Sequence, residues 1–265
     1  MQTINYYNHK IAYDIKGTVT PLVFLHGFGE NRQMWKDFTP SFEDYQVVTI
    51  DFPGSGESDE MESSIARMAK IVNAVLQDIG IEQCIMIGHS MGGYVTLAFA
   101  KLYPTKLLGY SLFHTQPNAD SAEKKEGRDK AIDFLAKYGV RPYFKGLIPK
   151  LFAVDFLKDN MSLIDELVEG GSQMTVKSVQ HQLRAMRNRP DNQEVLIQSR
   201  APVCFIIGNK DIAIPAENSL NQTFLPKIAD IHILPEVGHM GMFESPAKTI
   251  SILQNFIQYC LDRVG

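Results

Sequence analysis

The stretch Ile85-Met86-Ile87-Gly88-His89-Ser90-Met91-Gly92-Gly93-Tyr94 limits what this chain can become more than any other: an apolar run crosses Gly-x-Ser-x-Gly and enters a helical pattern without a linker. Residues 84–87, Cys-Ile-Met-Ile, have the length and unbroken apolarity of a strand buried on both faces. Met91, Val95, Ala98, Phe99 and Leu102 then recur at helical spacing, and Pro104 supplies the stop. A serine on so sharp a strand-to-helix turn takes a strained backbone conformation. Its neighbours two positions away have to be small for strand and helix to pass, and Gly88 and Gly92 meet that need. The turn presents the Ser90 hydroxyl at a helix N-terminus, where free N–H groups and the helix dipole favour negative charge.

The flanking sequence alternates strand and helix. Ile4–Tyr7 and Lys10–Ile15 predict an antiparallel hairpin turning at Asn8-His9, and Leu22–Leu25 predicts an interior parallel strand that ends in His26-Gly27-Phe28-Gly29. Met34–Phe42 reads as a short helix with Trp35 and Phe38 on its buried face, followed by a strand at Gln46–Ile50. Ile65, Met68, Ala69, Val72, Leu76 and Ile79 form one helical stripe closed by Gly80, and Leu107–Phe113 is a further strand. This rhythm predicts an α/β chain with a mostly parallel, doubly wound sheet, and right-handed crossovers place Ser90 and the Phe28 loop at the same sheet edge.

After His114 the rhythm stops. Residues 116–190 contain helical stripes at Ala131, Leu135 and Tyr138 and at Val176, Val179, Leu183 and Met186, with a helix start at Ser162-x-x-Asp165. Strands resume at Val203–Ile207 and Ile231–Leu234, and Ser245-Pro246 opens a final helix. The expected organisation is a core of residues 1–115 and 191–265 with a helical cap inserted at 116–190, the kind of junction at which pockets form. Arg184, Arg187 and Arg189 in the cap suit either an acidic substrate or a solvated helix face, and the solvated face is the expectation.

The strand, Gly-x-Ser-x-Gly turn and helix, set in this rhythm, resemble the α/β-hydrolase superfamily, specifically its serine-nucleophile members with a helical cap. The resemblance implies that the main-chain N–H groups of Phe28 and Met91 form an oxyanion hole and that Asp51-x-x-Gly-x-Gly-x-Ser58 is a structured turn. Among seven histidines, His9 falls in the hairpin, His181 in the cap, His232 inside a strand and His89 in the elbow itself. His239 lies on a loop after the last strand, third in the order serine, acid, histidine that this fold uses. Asp211, after a buried strand, and Asp120, at the entry to the cap, compete as the acid; the superfamily's Gly-x-x-Asp pattern favours Asp211. A catalytic set of Ser90, Asp211 and His239 implies hydrolysis through an acyl-enzyme, first as a carboxylesterase on small esters. Carbon–carbon hydrolysis of a diketone-like metabolite is the alternative within this chemistry, and a non-catalytic small-molecule receptor is the alternative outside it.

Composition narrows the partners. A net charge of -4 over 265 residues offers no basic face for nucleic acid or an anionic membrane, so a small-molecule substrate is expected. Neither metal nor organic cofactor is needed by the chemistry. Cys84, Cys204 and Cys260 are widely spaced and read as buried thiols rather than ligands. No segment approaches the roughly 20 apolar residues of a membrane span, and the N-terminus lacks a leader pattern, which predicts the cytoplasm. No pattern specifies an oligomeric state.

Overall fold

The computed structural model describes residues 1–263, in which eight strands form one sheet. They are β1 (Gln2–Tyr6), β2 (His9–Lys16), β3 (Pro21–Leu25), β4 (Gln46–Ile50), β5 (Cys84–His89), β6 (Leu107–Phe113), β7 (Val203–Gly208) and β8 (Ala229–Leu234). Their spatial order is β1-β2-β4-β3-β5-β6-β7-β8. The first two strands run antiparallel to their neighbours, and every pair from β4 to β8 is parallel. The unbroken apolar runs of β3, β5 and β7 are buried along their lengths because helices cover both faces of the sheet.

Helix α1 (Ile65–Asp78) starts at Ser64, whose hydroxyl accepts from the Arg67 N–H, and α2 (Met91–Leu102) follows the serine turn directly. Between β6 and β7 the chain is helical throughout: α3 (Ala122–Tyr138), α4 (Val140–Leu147), α5 (Val154–Leu157), α6 (Met161–Ser172) and α7 (Val176–Arg187). Short helices α8 (Gln193–Ile197), α9 (Ala216–Leu220) and α10 (Gly241–Glu244) punctuate the return to the sheet, and α11 (Pro246–Asp262) closes the fold. Among the described residues no helix is long and apolar enough to cross a membrane. The three cysteines are buried and unpaired.

Four local expectations are corrected. The hairpin turns at Tyr7-Asn8, both with positive φ (49° and 65°), rather than at Asn8-His9, because a two-residue turn matching the strand twist needs that conformation at both positions. His9 consequently belongs to β2. Residues 34–42 form no continuous helix but two 3-10 turns, Arg32–Trp35 and Thr39–Phe42. Pro40 lacks the N–H that would carry one helix through, yet Trp35, Phe38 and Phe42 still pack round Phe24 with ring centroids 5.3, 6.3 and 5.5 Å away. Helix α6 begins after Asn160, which leaves Ser162 inside it instead of at its cap. Arg189 does not lie on a solvated face: it is buried, pairs with Asp120 at 2.6 Å and stacks 3.9 Å above the Tyr94 ring.

The helical insertion is tied to the loops at the sheet edge. Phe144 of α4 fills the space that a side chain at Gly29 would need. Gln182 of α7 accepts from the Gly29 N–H at 3.3 Å and donates to Ser55 Oγ at 2.8 Å, joining the two glycine-rich loops that follow β3 and β4.

Candidate active site

Ser90 occupies the turn between β5 and α2 with φ 50° and ψ -112°. An L-residue held there stores roughly 1–3 kcal/mol of strain, maintained only because the surroundings over-determine it. Here the Ser90 N–H donates to the Phe113 carbonyl at 2.9 Å, and its own carbonyl accepts from Thr115 Oγ1 at 2.8 Å. The flanking glycines are required by contact: a Cβ on Gly88 would strike Thr96 and the Gly92 carbonyl, and one on Gly92 would strike the carbonyls of Leu25 and His26.

His239 lies on the loop between β8 and α10. Its Nδ1 is 2.6 Å from Asp211 Oδ2, while Asp211 Oδ1 accepts from the Ala213 and Ile214 N–H groups at 2.8 and 2.9 Å. Burial alone would raise the Asp211 carboxyl, but the charge and hydrogen bond of His239, with smaller contributions from His114 and the Ile214 N–H, bring it below the usual carboxylate range. Burial pulls the His239 imidazole down; the Asp211 charge and hydrogen bond more than reverse this, so its pKa lies above the ordinary histidine value. With Nδ1–H committed to Asp211, Nε2 is the nitrogen left to take a proton. Ser90, His239 and Phe28 line one cleft of about 340 Å³. Neither the Phe28 nor the Met91 N–H meets a protein acceptor among the described residues, the latter as the first N–H of α2.

Asp120 does not line this cleft and serves neither as a helix cap nor as a partner of histidine. The cap of α3 is Ser121, and Asp120 is an ion-pair centre for Arg128 and Arg189. His26 is buried and holds its loop, accepting from the Phe52 N–H at 3.0 Å and lying 2.7 Å from the Gly27 carbonyl through Nδ1.

Four further residues fix this geometry, and the sequence reading assigned none of them a role. Glu30 accepts from the Gly27 N–H at 2.6 Å and faces His89 Nδ1 at 3.2 Å; His89 Nε2 is in turn 3.0 Å from the His239 carbonyl oxygen. Both nitrogens of His89 therefore meet acceptors. Glu244 accepts from the Gly238 and Met240 N–H groups, each at 3.0 Å, and from the Ala153 N–H at 2.9 Å. His114 is buried beneath, with the N–H groups of Gly208 and Gly241 each 3.1 Å from one of its nitrogens. Burial is the largest cause that holds its pKa well below the ordinary value; the neutral ring can accept from one of the two N–H groups, a protonated ring from neither. Two of these were visible as anomalies: Glu30 is a lone acid in a glycine-rich loop, and His89 sits beside the serine.

Away from the cleft, Cys204, Asp230 and His232 bring potential metal-binding atoms within 4.8 Å of one another. Cys204 and Asp230 are register partners on β7 and β8, an adjacency invisible in their spacing. Burial pushes the Cys204 thiol well above its ordinary pKa, which opposes the thiolate a metal would need.

Comparison with known proteins agrees with this architecture. A family model for the alpha/beta hydrolase fold matches residues 20–246. A 2-hydroxy-6-oxononadienedioate/2-hydroxy-6-oxononatrienedioate hydrolase from Burkholderia vietnamiensis is 24% identical, the match covering 94% of this chain and 91% of the relative. Among solved structures, a thermophilic esterase from Thermogutta terrifontis superposes with a TM-score of 0.92 at 24% identity, over 98% of both chains. An enol-lactonase from Burkholderia xenovorans superposes with a TM-score of 0.90 at 16% identity, over 97% of this chain and 100% of the other. With its eight-stranded sheet, its strained serine turn and a family match spanning most of its length, the chain belongs to the α/β hydrolase fold family.

Proposed function

We propose that this hydrolase cleaves carboxylic esters through an acyl-enzyme on Ser90. The observation that carries the reading is the 2.6 Å contact of His239 with Asp211 in a residue that lines the same cleft as the strained serine. A serine hydroxyl is a poor nucleophile near neutral pH and needs a base oriented by a carboxylate. In this reading His239 Nε2 removes the Ser90 proton as Oγ attacks the ester carbonyl, and returns it to the departing alcohol. Asp211 keeps the proton on Nδ1 and stabilises the imidazolium. The Phe28 and Met91 N–H groups receive the oxyanion, each such donor being worth about 10²–10³ in rate. Water, activated by the same histidine, then releases the acid. The insertion acts as the cap of the cleft, and a small molecule is the partner.

The relative named as a 2-hydroxy-6-oxononadienedioate hydrolase makes carbon–carbon cleavage the second reading. Of the three arginines at 184, 187 and 189, Arg187 is engaged with Asp129 and Arg189 with Asp120, so neither of these two is free to take an acidic dienol.

The test is reaction with a fluorophosphonate and with short-chain aryl esters. One phosphonyl group on Ser90, ester turnover without added metal, and loss of both in Ser90→Ala are the expected results. Label that persists in Ser90→Ala, or an enzyme that cleaves acidic diketones and no ester, would displace the proposal.

A further inference from the structure

The cleft that contains Ser90 has one wall of unbalanced positive charge. Lys124 and Arg128, both on α3, line it, and Arg189 lies behind, stacked on Tyr94, which also lines it. These three cations share a single carboxylate. Asp120 is buried and pairs with both Arg128 and Arg189. Lys124 Nζ meets only the Ala213 carbonyl, at 3.4 Å. The one acid lining the cleft, Glu30, is already bound to the Gly27 N–H and faces His89. Half-buried, Lys124 has its pKa drawn below the usual lysine value, chiefly by burial, with the more distant Asp120 and Asp211 charges acting against it. A lysine with water on one side and no partner on the other is poised for a ligand anion.

Gly127 lies beside these cations. It sits inside α3, lines the cleft between Lys124 and Arg128, and a Cβ built there would touch nothing. Glycine is among the poorest residues for a helix interior, and no packing within the protein requires it here. A second, apolar cavity of about 210 Å³ opens on the far side of Phe28, Leu147 and Leu151, walled by Phe144, Leu163 and Met240.

From the charge imbalance in this cleft we infer that the substrate is an ester carrying a carboxylate, which docks on Lys124 and Arg128 while Ser90 attacks the ester carbonyl. The inference rests on the ester reading above and adds the class of ester. Arg128 is already shared with Asp120, so Lys124 contributes most of the discrimination. A charge-assisted hydrogen bond of this kind is worth about 10- to 100-fold in kcat/KM.

The experiment compares matched esters that differ by one negative charge: 4-nitrophenyl hydrogen adipate against 4-nitrophenyl hexanoate, and 3-carboxyphenyl acetate against phenyl acetate. The two pairs offer the carboxylate on the acyl and on the alcohol side. The expected result is a kcat/KM ratio of about 10 or more for the anionic member of at least one pair. That ratio falls to near one in Lys124→Met, largely through KM, and is retained in Lys124→Arg, which also controls for folding. Equal turnover of charged and neutral esters, or a preference untouched by Lys124→Met, overturns the inference and leaves the esterase standing. Turnover of neither ester overturns the esterase reading itself, and the inference with it.

Discussion

His89 Nε2 lies 3.0 Å from the carbonyl oxygen of His239, so the residue next to Ser90 in sequence steadies a histidine 150 positions further on. Glu30 faces the other nitrogen of the same ring. His89→Phe keeps the ring's bulk but leaves the His239 carbonyl without its donor, a loss of about 1–3 kcal/mol. Ester turnover should fall about tenfold, with the loss in kcat rather than KM, and Glu30→Gln should fall in the same direction by less. Steady-state kinetics on an aryl ester checks this; a variant with the parent's kcat would assign the contact to stability alone.

The two buried aspartates should separate cleanly. Asp211→Asn removes the charge that keeps the proton on His239 Nδ1, and turnover should drop by up to about four orders of magnitude while the fold persists. Asp120→Asn leaves Arg128 and Arg189 facing each other across a neutral amide, and breaking a buried pair costs about 3–5 kcal/mol. Its principal effect should be on melting temperature. Thermal denaturation and kinetics on the two proteins decide the matter, and a reversed ranking would move the acid to Asp120.

The pH dependence follows from the direction of each shift. His239 has to be neutral to act as a base, and Asp211 holds its pKa above the ordinary histidine value of about 6.5. The acidic limb of kcat/KM should therefore lie above pH 6.5, and it should move down in Asp211→Asn. Stability has two opposing contributions. His239, with its raised value, contributes stability that is full below about pH 6.5 and is lost as pH rises through its folded pKa. His26 and His114, with lowered values, contribute stability that is full above about pH 6.5 and is lost on acidification. His181, lowered chiefly by burial, adds to the second group, and with three against one melting temperature should fall between pH 7 and pH 5. A curve that rises over that interval would overturn this balance.

Two glycines should respond oppositely to alanine. A Cβ on Gly208 would fall on the carbonyl oxygens of Gly238 and Val237 in the loop that bears His239, so Gly208→Ala should destabilise by about 1–3 kcal/mol and depress kcat. Gly146, inside α4 with nothing near its missing Cβ, should gain about 0.5–1 kcal/mol as alanine. Melting temperatures of the pair test the packing directly.

Legibility in the sequence followed the range of the interactions involved. Strands β3, β5, β6 and β7 were readable because burial on both faces leaves a continuous apolar run, and the Ser90 turn because its glycines stand at fixed offsets. Helices α5, α8, α9 and α10 were not, since four or five residues complete too little of a helical period to show a stripe. The Asp120–Arg189 pair joins residues 69 apart, and the Glu244–Ala153 bond residues 91 apart. From sequence these look like surface charges, because nothing local records that they are buried together. Gln182 was the exception: a polar side chain on the buried stripe of α7, it could have been singled out as a residue with a distant partner.

The brace at Glu244 constrains how molecules enter and leave. The same carboxylate holds the Gly238 and Met240 N–H groups on either side of His239 and the Ala153 N–H of the insertion, and the His239 N–H itself donates to the Leu151 carbonyl at 2.7 Å. The stretch from Leu151 to Ala153 is thus a fixed doorpost: lifting it would carry His239 away from Asp211. On the opposite jamb, α7 is tied to α3 by Arg187 and Asp129, while Arg128 and Arg189 both meet Asp120 just ahead of α3, so neither side of the doorway stands independent of ion pairs or hydrogen bonds.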